Sequence, residues 1–135
     1  MAVGLIPLRE LTRRPVDPAA IQGYIMAYRQ WLPNPAETIG VRLGSSSMNP
    51  ILPAGSIVAI DRSMTDAVAL QGRIVAACPE RGRADRWLDL SGRHLILRPS
   101  QPGREYPLIP VELDDQTDGL ILGQVVWSWS RFGHG

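Results

Sequence analysis

Ser47 stands in the run "SSSMNP", followed after a Pro-Ala-Gly turn by the alternating apolar stretch "SIVAID". A serine becomes a nucleophile only when three conditions meet: a tight backbone that exposes its Oγ, a general base within hydrogen-bond reach, and donors for the oxyanion. The run supplies the first of these in outline. Met48 can anchor the segment in a core, Asn49 suits a turn, and Pro50 fixes the exit. By itself the segment favours a structural serine-rich turn well ahead of a nucleophile, because such turns are common.

The supply of bases is narrow. All fourteen basic residues are Arg and none is Lys, so no side chain can act as a lysine base or form a Schiff base. His94 follows the Ser91-Gly92 turn signal and is expected to pair near Asp89, while His134 lies in the tail; each reads as a surface or edge residue rather than a base. Asp61 and Asp85 are conceivable carboxylate partners, but acids that end strands are usually solvated. The run Arg81-Gly82-Arg83-Ala84-Asp85-Arg86 reads as a solvated hairpin loop ahead of a phosphate contact. With no CxxC, HExxH, P-loop or dinucleotide fingerprint, neither a metal nor a nucleotide cofactor is expected.

The elements that must position these residues belong to one domain of 135 residues, with 44% hydrophobic and 20% charged content. A net charge of +1 gives no electrostatic case for nucleic-acid binding. The single cysteine, Cys78, excludes an internal disulfide and reads as a buried small hydrophobe, compatible with a reducing cytosol. No apolar stretch is long enough for a membrane span, and the N-terminus carries its charges after its apolar residues, the reverse of a secretory signal.

Twelve Pro and thirteen Gly spread along the chain suit many short strands. Residues 1–37 are expected to be an extended lead-in with the first strand or strands, part of the same domain as residues 38–135. Within residues 17–32, Asp17 with Pro18 could cap a helix, whereas Gly23 and the β-formers after it favour a strand near 23–27, the preferred assignment. Further strands are expected at 38–43, at 56–61 after the turn Pro53-Ala54-Gly55, at 72–78, at 86–90 paired with 94–98, and at 119–129 with a bulge or bend at Gly123. Together they predict a mainly β fold: a strongly bent sheet or small barrel with short helices at most. Trp127 and Trp129 alternate with Ser128 and so share one face of the last strand, as core or as an interface.

The order of these features resembles the C-terminal domain of the LexA, UmuD and lambda-type phage repressor superfamily over about residues 38–131. Ser47-Met48-Asn49-Pro50 matches the Ser-Met-x-Pro part of its signature, with Ser45 and Ser46 in place of Gly and Asp. Gly55-Ser56-Ile57-Val58-Ala59-Ile60-Asp61 matches its turn and strand, with Ser56 for the usual Asp. "LQGRIVAAC", "SGRHLILRPSQP" and "ILGQVVWSWSRF" are similar to its later strands. The resemblance implies a LexA-like, signal-peptidase-like β fold, homodimerisation, and a Ser–Lys dyad in which a deprotonated lysine takes the serine's proton. It assigns Ser47 the nucleophile position and Met48, Pro50, Gly55 and Asp61 the supporting motif.

Two departures bear on activity. Counting back from Gly92, the lysine position falls on Arg86 in "ADRWLDL". A guanidinium stays protonated in a protein, so it can bond Ser47 but not activate it. The Ala-Gly or Cys-Gly cleavage site that the family places upstream of the serine is missing: Ala54-Gly55 lies downstream, Val3-Gly4 and Gln22-Gly23 are the nearest substitutes, and Arg13-Arg14-Pro15 offers nothing small.

The expectation is a pseudo-peptidase domain that dimerises a transcriptional repressor in the cytoplasm. DNA would be reached only through a helix-turn-helix outside this chain, and a RecA-like activator or other protein is a possible partner. An active self-cleaving peptidase using Ser47 and a stand-alone UmuD-like interaction protein are the alternatives, and a role in the SOS response follows only from the resemblance.

Overall fold

The structure is a computed structural model that describes residues 2–7, 10–11, 16–44, 48, 51–77, 84–91, 94–100, 108–112 and 120–129. Among the described residues nine strands follow one another: β1 (Ala2–Leu5), β2 (Gly23–Met26), β3 (Thr38–Arg42), β4 (Ile57–Asp61), β5 (Ile74–Ala77), β6 (Ala84–Ser91), β7 (His94–Arg98), β8 (Ile109–Glu112) and β9 (Ile121–Trp129). Their helical companions are single 3-10 turns at Pro18–Ala20, Arg29–Trp31 and Pro35–Glu37. The fold is mainly β, as the spacing of turn signals predicts.

The strands hydrogen-bond in the order β2-β1-β3-β4-β9-β5-β6-β7-β8. Every pair is antiparallel except β1 with β3, which meet in parallel at Leu5 and Gly40. Among the described residues β2 and β8 are therefore the edges, and the sheet is open rather than the barrel held as an alternative. The lead-in is part of this sheet, since β1 is sandwiched between β2 and β3.

Both signals in residues 17–32 are used, in succession. Asp17 caps a single turn, its Oδ1 accepting from the Ala19 N–H at 3.0 Å with Pro18 at the first helical position. The turn stops at Ala20, and the strand-favouring run after it forms β2 against β1 with Gly23 opposite Leu5. The β6–β7 hairpin places Ser91 opposite His94 and Asp89 opposite Ile96, so His94 pairs two positions beyond Asp89 and away from Arg86. Ser91 belongs to the strand rather than to the turn that the Ser91-Gly92 signal suggests.

Two one-residue slips bend β9, as expected of a strand that is shared by two others. Opposite β5, Ala76 faces Gly123 and Ala77 faces Ile121, which leaves Leu122 as the extra residue. Opposite β4, Ala59 faces Trp127 and Ile60 faces Val125, which leaves Val126 extra. At Gly123 the neighbouring strand comes so close that a Cβ would lie 2.6 Å from the Asp61 carbonyl oxygen and 2.6 Å from Ile60 Cγ2. Only glycine fits there.

Three apolar clusters fill the faces of the sheet. The first gathers Ile6, Val41, Met48, Leu52, Val58, Ile60 and Ala76; the second gathers Leu70, Val75, Ala77, Leu88, Leu97 and Ile121; the third gathers Val3, Ala27, Leu32 and Ala59. Val75 and Ala76 are neighbours on β5 yet belong to different clusters, so the first and second clusters lie on opposite faces of that strand.

Candidate functional site

Residues 43–56 connect β3 to β4, and this connection carries the "SSSMNP" run. Ser47 and Pro50 lie outside the described residues; Leu43, Met48 and residues 51–56 frame them. Leu43 N–H donates to the Ser56 carbonyl at 2.8 Å, and Gly55 N–H donates to the Leu43 carbonyl at 2.9 Å, closing the base of the loop. Gly55 takes φ +87°, the left-handed region where a side chain is strained, which explains why a glycine opens β4. Arg42 Nη1 reinforces the same turn through the Gly55 carbonyl at 3.0 Å.

Met48 is the loop's interior anchor. It is 1% exposed within the first cluster, its carbonyl accepts from Leu52 N–H at 2.8 Å, and Ser100 Oγ approaches its sulfur at 3.8 Å. The thioether is flexible and polarisable enough to fill an irregular gap at the sheet surface. The residue after Ser47 is thus fixed in the core, which is the role the sequence assigns to Met48.

Arg86 lies on β6 directly opposite Val75 and is buried, with 7% exposure. Directly opposed residues in an antiparallel pair share a face, and Leu88, two residues on, belongs to the second cluster with Val75. Arg86 therefore sits on the second-cluster face, whereas Met48 packs with Ala76 on the first-cluster face. Of the histidines, His94 lies at the far end of the β6–β7 hairpin, five positions along β6 from Arg86 in register terms, and His134 lies outside the described residues. Cys78 and residues 81–83 also lie outside them.

Asp61 departs from the solvated strand end that its position suggested. It is fully buried, and its carboxylate accepts from Asn34 Nδ2 at 2.7 Å, from Ser63 N–H at 3.0 Å and from Ser63 Oγ at 2.6 Å. Three donors replace the lost water, so the buried charge is satisfied. The bonds to Ser63 turn the chain at the end of β4, and the bond to Asn34 ties that end to the connection ahead of β3. The signal was present in sequence as Asp61-Arg62-Ser63, the spacing of an Asx turn.

Beside this network a half-open cleft of about 530 Å³ lies between the lead-in and β3. Gly4, Ile6 and Ile21 form its apolar wall, and Glu37, Thr38 and Arg62 supply its polar groups. Arg62 is 5% exposed and donates from Nη2 to the Leu11 carbonyl at 3.1 Å, so it fastens the lead-in to the end of β4. Sequence inspection did not find this cleft, because the residues that line it come from four separate stretches.

The possible cleavage bonds are also placed. Val3–Gly4 lies inside β1, a strand paired on both sides, with Val3 buried. Gln22–Gly23 enters β2, with the Gln22 N–H bonded to the Leu5 carbonyl at 2.8 Å. Arg13-Arg14-Pro15 lies outside the described residues. Trp127 stacks on Trp31 of the same chain, and both it and Trp129 pack against the third cluster.

No protein-family model matches the chain, and no curated protein matches it.

Proposed function

We propose that this chain is a dimerisation and regulatory domain of a LexA-like, phage-type transcriptional repressor, and that it does not cleave itself. The identity and burial of Arg86 carry the proposal. The residue that the resemblance aligns with the dyad lysine is a buried, permanently charged guanidinium, which cannot take a serine's proton. A chain with no lysine has no other amine side chain to take the proton. The loop that would present Ser47 is nonetheless held at its base and by Met48, which suits a domain keeping the family's shape after losing its chemistry.

Two of the candidate cleavage bonds are locked in or at strand pairing, which further supports silence: a peptide must be drawn out as an extended segment before a protease site can engage it. In this reading the domain works in the cytoplasm by bringing two DNA-binding helix-turn-helix units, carried outside this chain, onto a two-fold operator. A RecA-like activator or another protein would act on it through binding rather than through hydrolysis.

Sedimentation equilibrium tests the assembly role directly. The expected result is a reversible dimer whose population rises with concentration. A mass fixed at that of one chain up to a few hundred micromolar would remove dimerisation from the proposal, and a stable complex with a polymerase in place of self-association would favour the UmuD-like alternative.

A further inference from the structure

The two edges of the sheet are built differently. β8 carries Pro110, which has no backbone N–H to donate, and ends in Glu112. Proline and charge are devices that keep a sheet edge from pairing with another chain. β2 has neither: residues 20–28, "AIQGYIMAY", contain no proline and no charged side chain.

This edge also shows an alternating row of apolar groups to solvent. Tyr24, Met26 and Tyr28 are 67%, 68% and 63% exposed, whereas Ile25 and Ala27 between them turn to the third cluster. The extended backbone continues beyond β2 to Tyr28, at φ −72° and ψ 137°. Among the described residues the strand neighbour of β2 is β1 alone, so its other side is an open edge.

We propose that the β2 edge pairs antiparallel with the β2 edge of a second copy of this chain, about a two-fold axis at Met26. The inference rests on the dimerisation reading above and names the surface responsible. The sequence of the exposed row selects a second copy over a foreign strand, because Tyr24-x-Met26-x-Tyr28 reads the same in both directions. An axis at Met26 sets Tyr24 against the partner's Tyr28 and Met26 against the partner's Met26, while Ile25 meets the partner's Ala27 on the other face. Arg29 falls opposite the partner's Gly23, so no like charges meet. Cross-strand aromatic and apolar pairs of this kind are the unit of sheet stabilisation, and the contact is isologous and closed.

The paired segment is short. So short a contact predicts a weak, transient dimer, with a Kd on the order of tens of micromolar.

The test is sedimentation equilibrium of the whole chain from about 5 to 500 micromolar, a range that brackets such a Kd. The wild type is expected to dimerise. Met26→Lys, which places two charges at the axis, is expected to weaken the dimer at least tenfold while leaving the circular dichroism spectrum and urea midpoint in place. The Y24K/Y28E double variant sets opposite charges across each symmetric pair and is expected to dimerise at least as well as the wild type at low salt. A dimer unaffected by Met26→Lys overturns the edge assignment and leaves the dimerisation reading standing. A wild type that stays monomeric throughout overturns both.

Discussion

The indole of Trp127 on β9 stacks on that of Trp31 from the lead-in, with ring centroids 4.2 Å apart and planes inclined by 15°. Tyr28 meets the edge of Trp31 at 4.8 Å, so three aromatic rings join residues nearly a hundred positions apart. This contact, with the β1–β3 pairing, fastens the first part of the chain to the last strand. It gives Trp127 a role inside one chain, whatever else its exposed portion meets.

Trp127→Ala is expected to cost about 2–3 kcal/mol, the lower part of the range for losing a large aromatic, because the ring is only partly buried. Trp31→Ala should cost a similar amount, and the double variant should fall short of the sum by about 1 kcal/mol, the usual coupling of an aromatic pair. Urea unfolding of the four proteins measures all three quantities.

Gly123→Ala should be far more damaging than its size suggests. The added methyl would sit 2.6 Å from the Asp61 carbonyl oxygen, backbone that cannot step aside without shifting β4. A loss of at least ~2 kcal/mol is expected, as for overpacking a rigid site. Gly23→Ala is the control: no atom lies within 4 Å of its Cβ position, and a change within about 0.5 kcal/mol is expected by thermal or urea unfolding.

Asp61→Ala removes a buried acceptor from three donors at once and should cost about 1.5–3 kcal/mol, the range for hydrogen bonds to a charged group, with the exposed Asn34 and Ser63 donors free to turn to water. Asn34→Ala breaks one of those bonds and should cost about 1 kcal/mol. Hydrogen exchange would show the same ordering locally, with the amide of Ser63 losing protection first in Asp61→Ala.

Much of the fold was legible because strands announce themselves through short-range rules. Ile57-Val58-Ala59-Ile60 follows a Pro-Ala-Gly turn, and β4 begins where the turn ends. Gly123 inside an apolar run marked a bend, and the two register slips of β9 fall on either side of it. Other features depend on partners distant in sequence. Asp61 looked solvated because nothing nearby in sequence reveals that Asn34, 27 residues earlier, donates to it. The alternating exposure of Tyr24, Met26 and Tyr28 acquires meaning only once β2 is known to be an edge. The anchoring of Met48 was legible from its place beside Ser47 and Pro50. The face that Arg86 occupies was not, since it depends on the register with Val75.

That register yields a prediction of its own. Arg86→Lys supplies the residue type that a Ser–Lys peptidase uses, but on the second-cluster face beside Leu88. It is expected to cost about 1–2 kcal/mol in urea unfolding, because an ammonium cannot reproduce the planar fork of a buried guanidinium. It should confer no self-cleavage, because the candidate bonds Val3–Gly4 and Gln22–Gly23 stay held in or beside strand pairing.

The most direct measurement of the central claim is the intact mass of the purified chain over time, at neutral and alkaline pH, with and without a RecA filament. Wild type, Ser47→Ala and Arg86→Lys should all keep the full mass of the chain in every condition. A fragment that accumulates in the wild type and is abolished by Ser47→Ala would contradict the account, since it would mean that Ser47 finds a base in a chain that has no lysine.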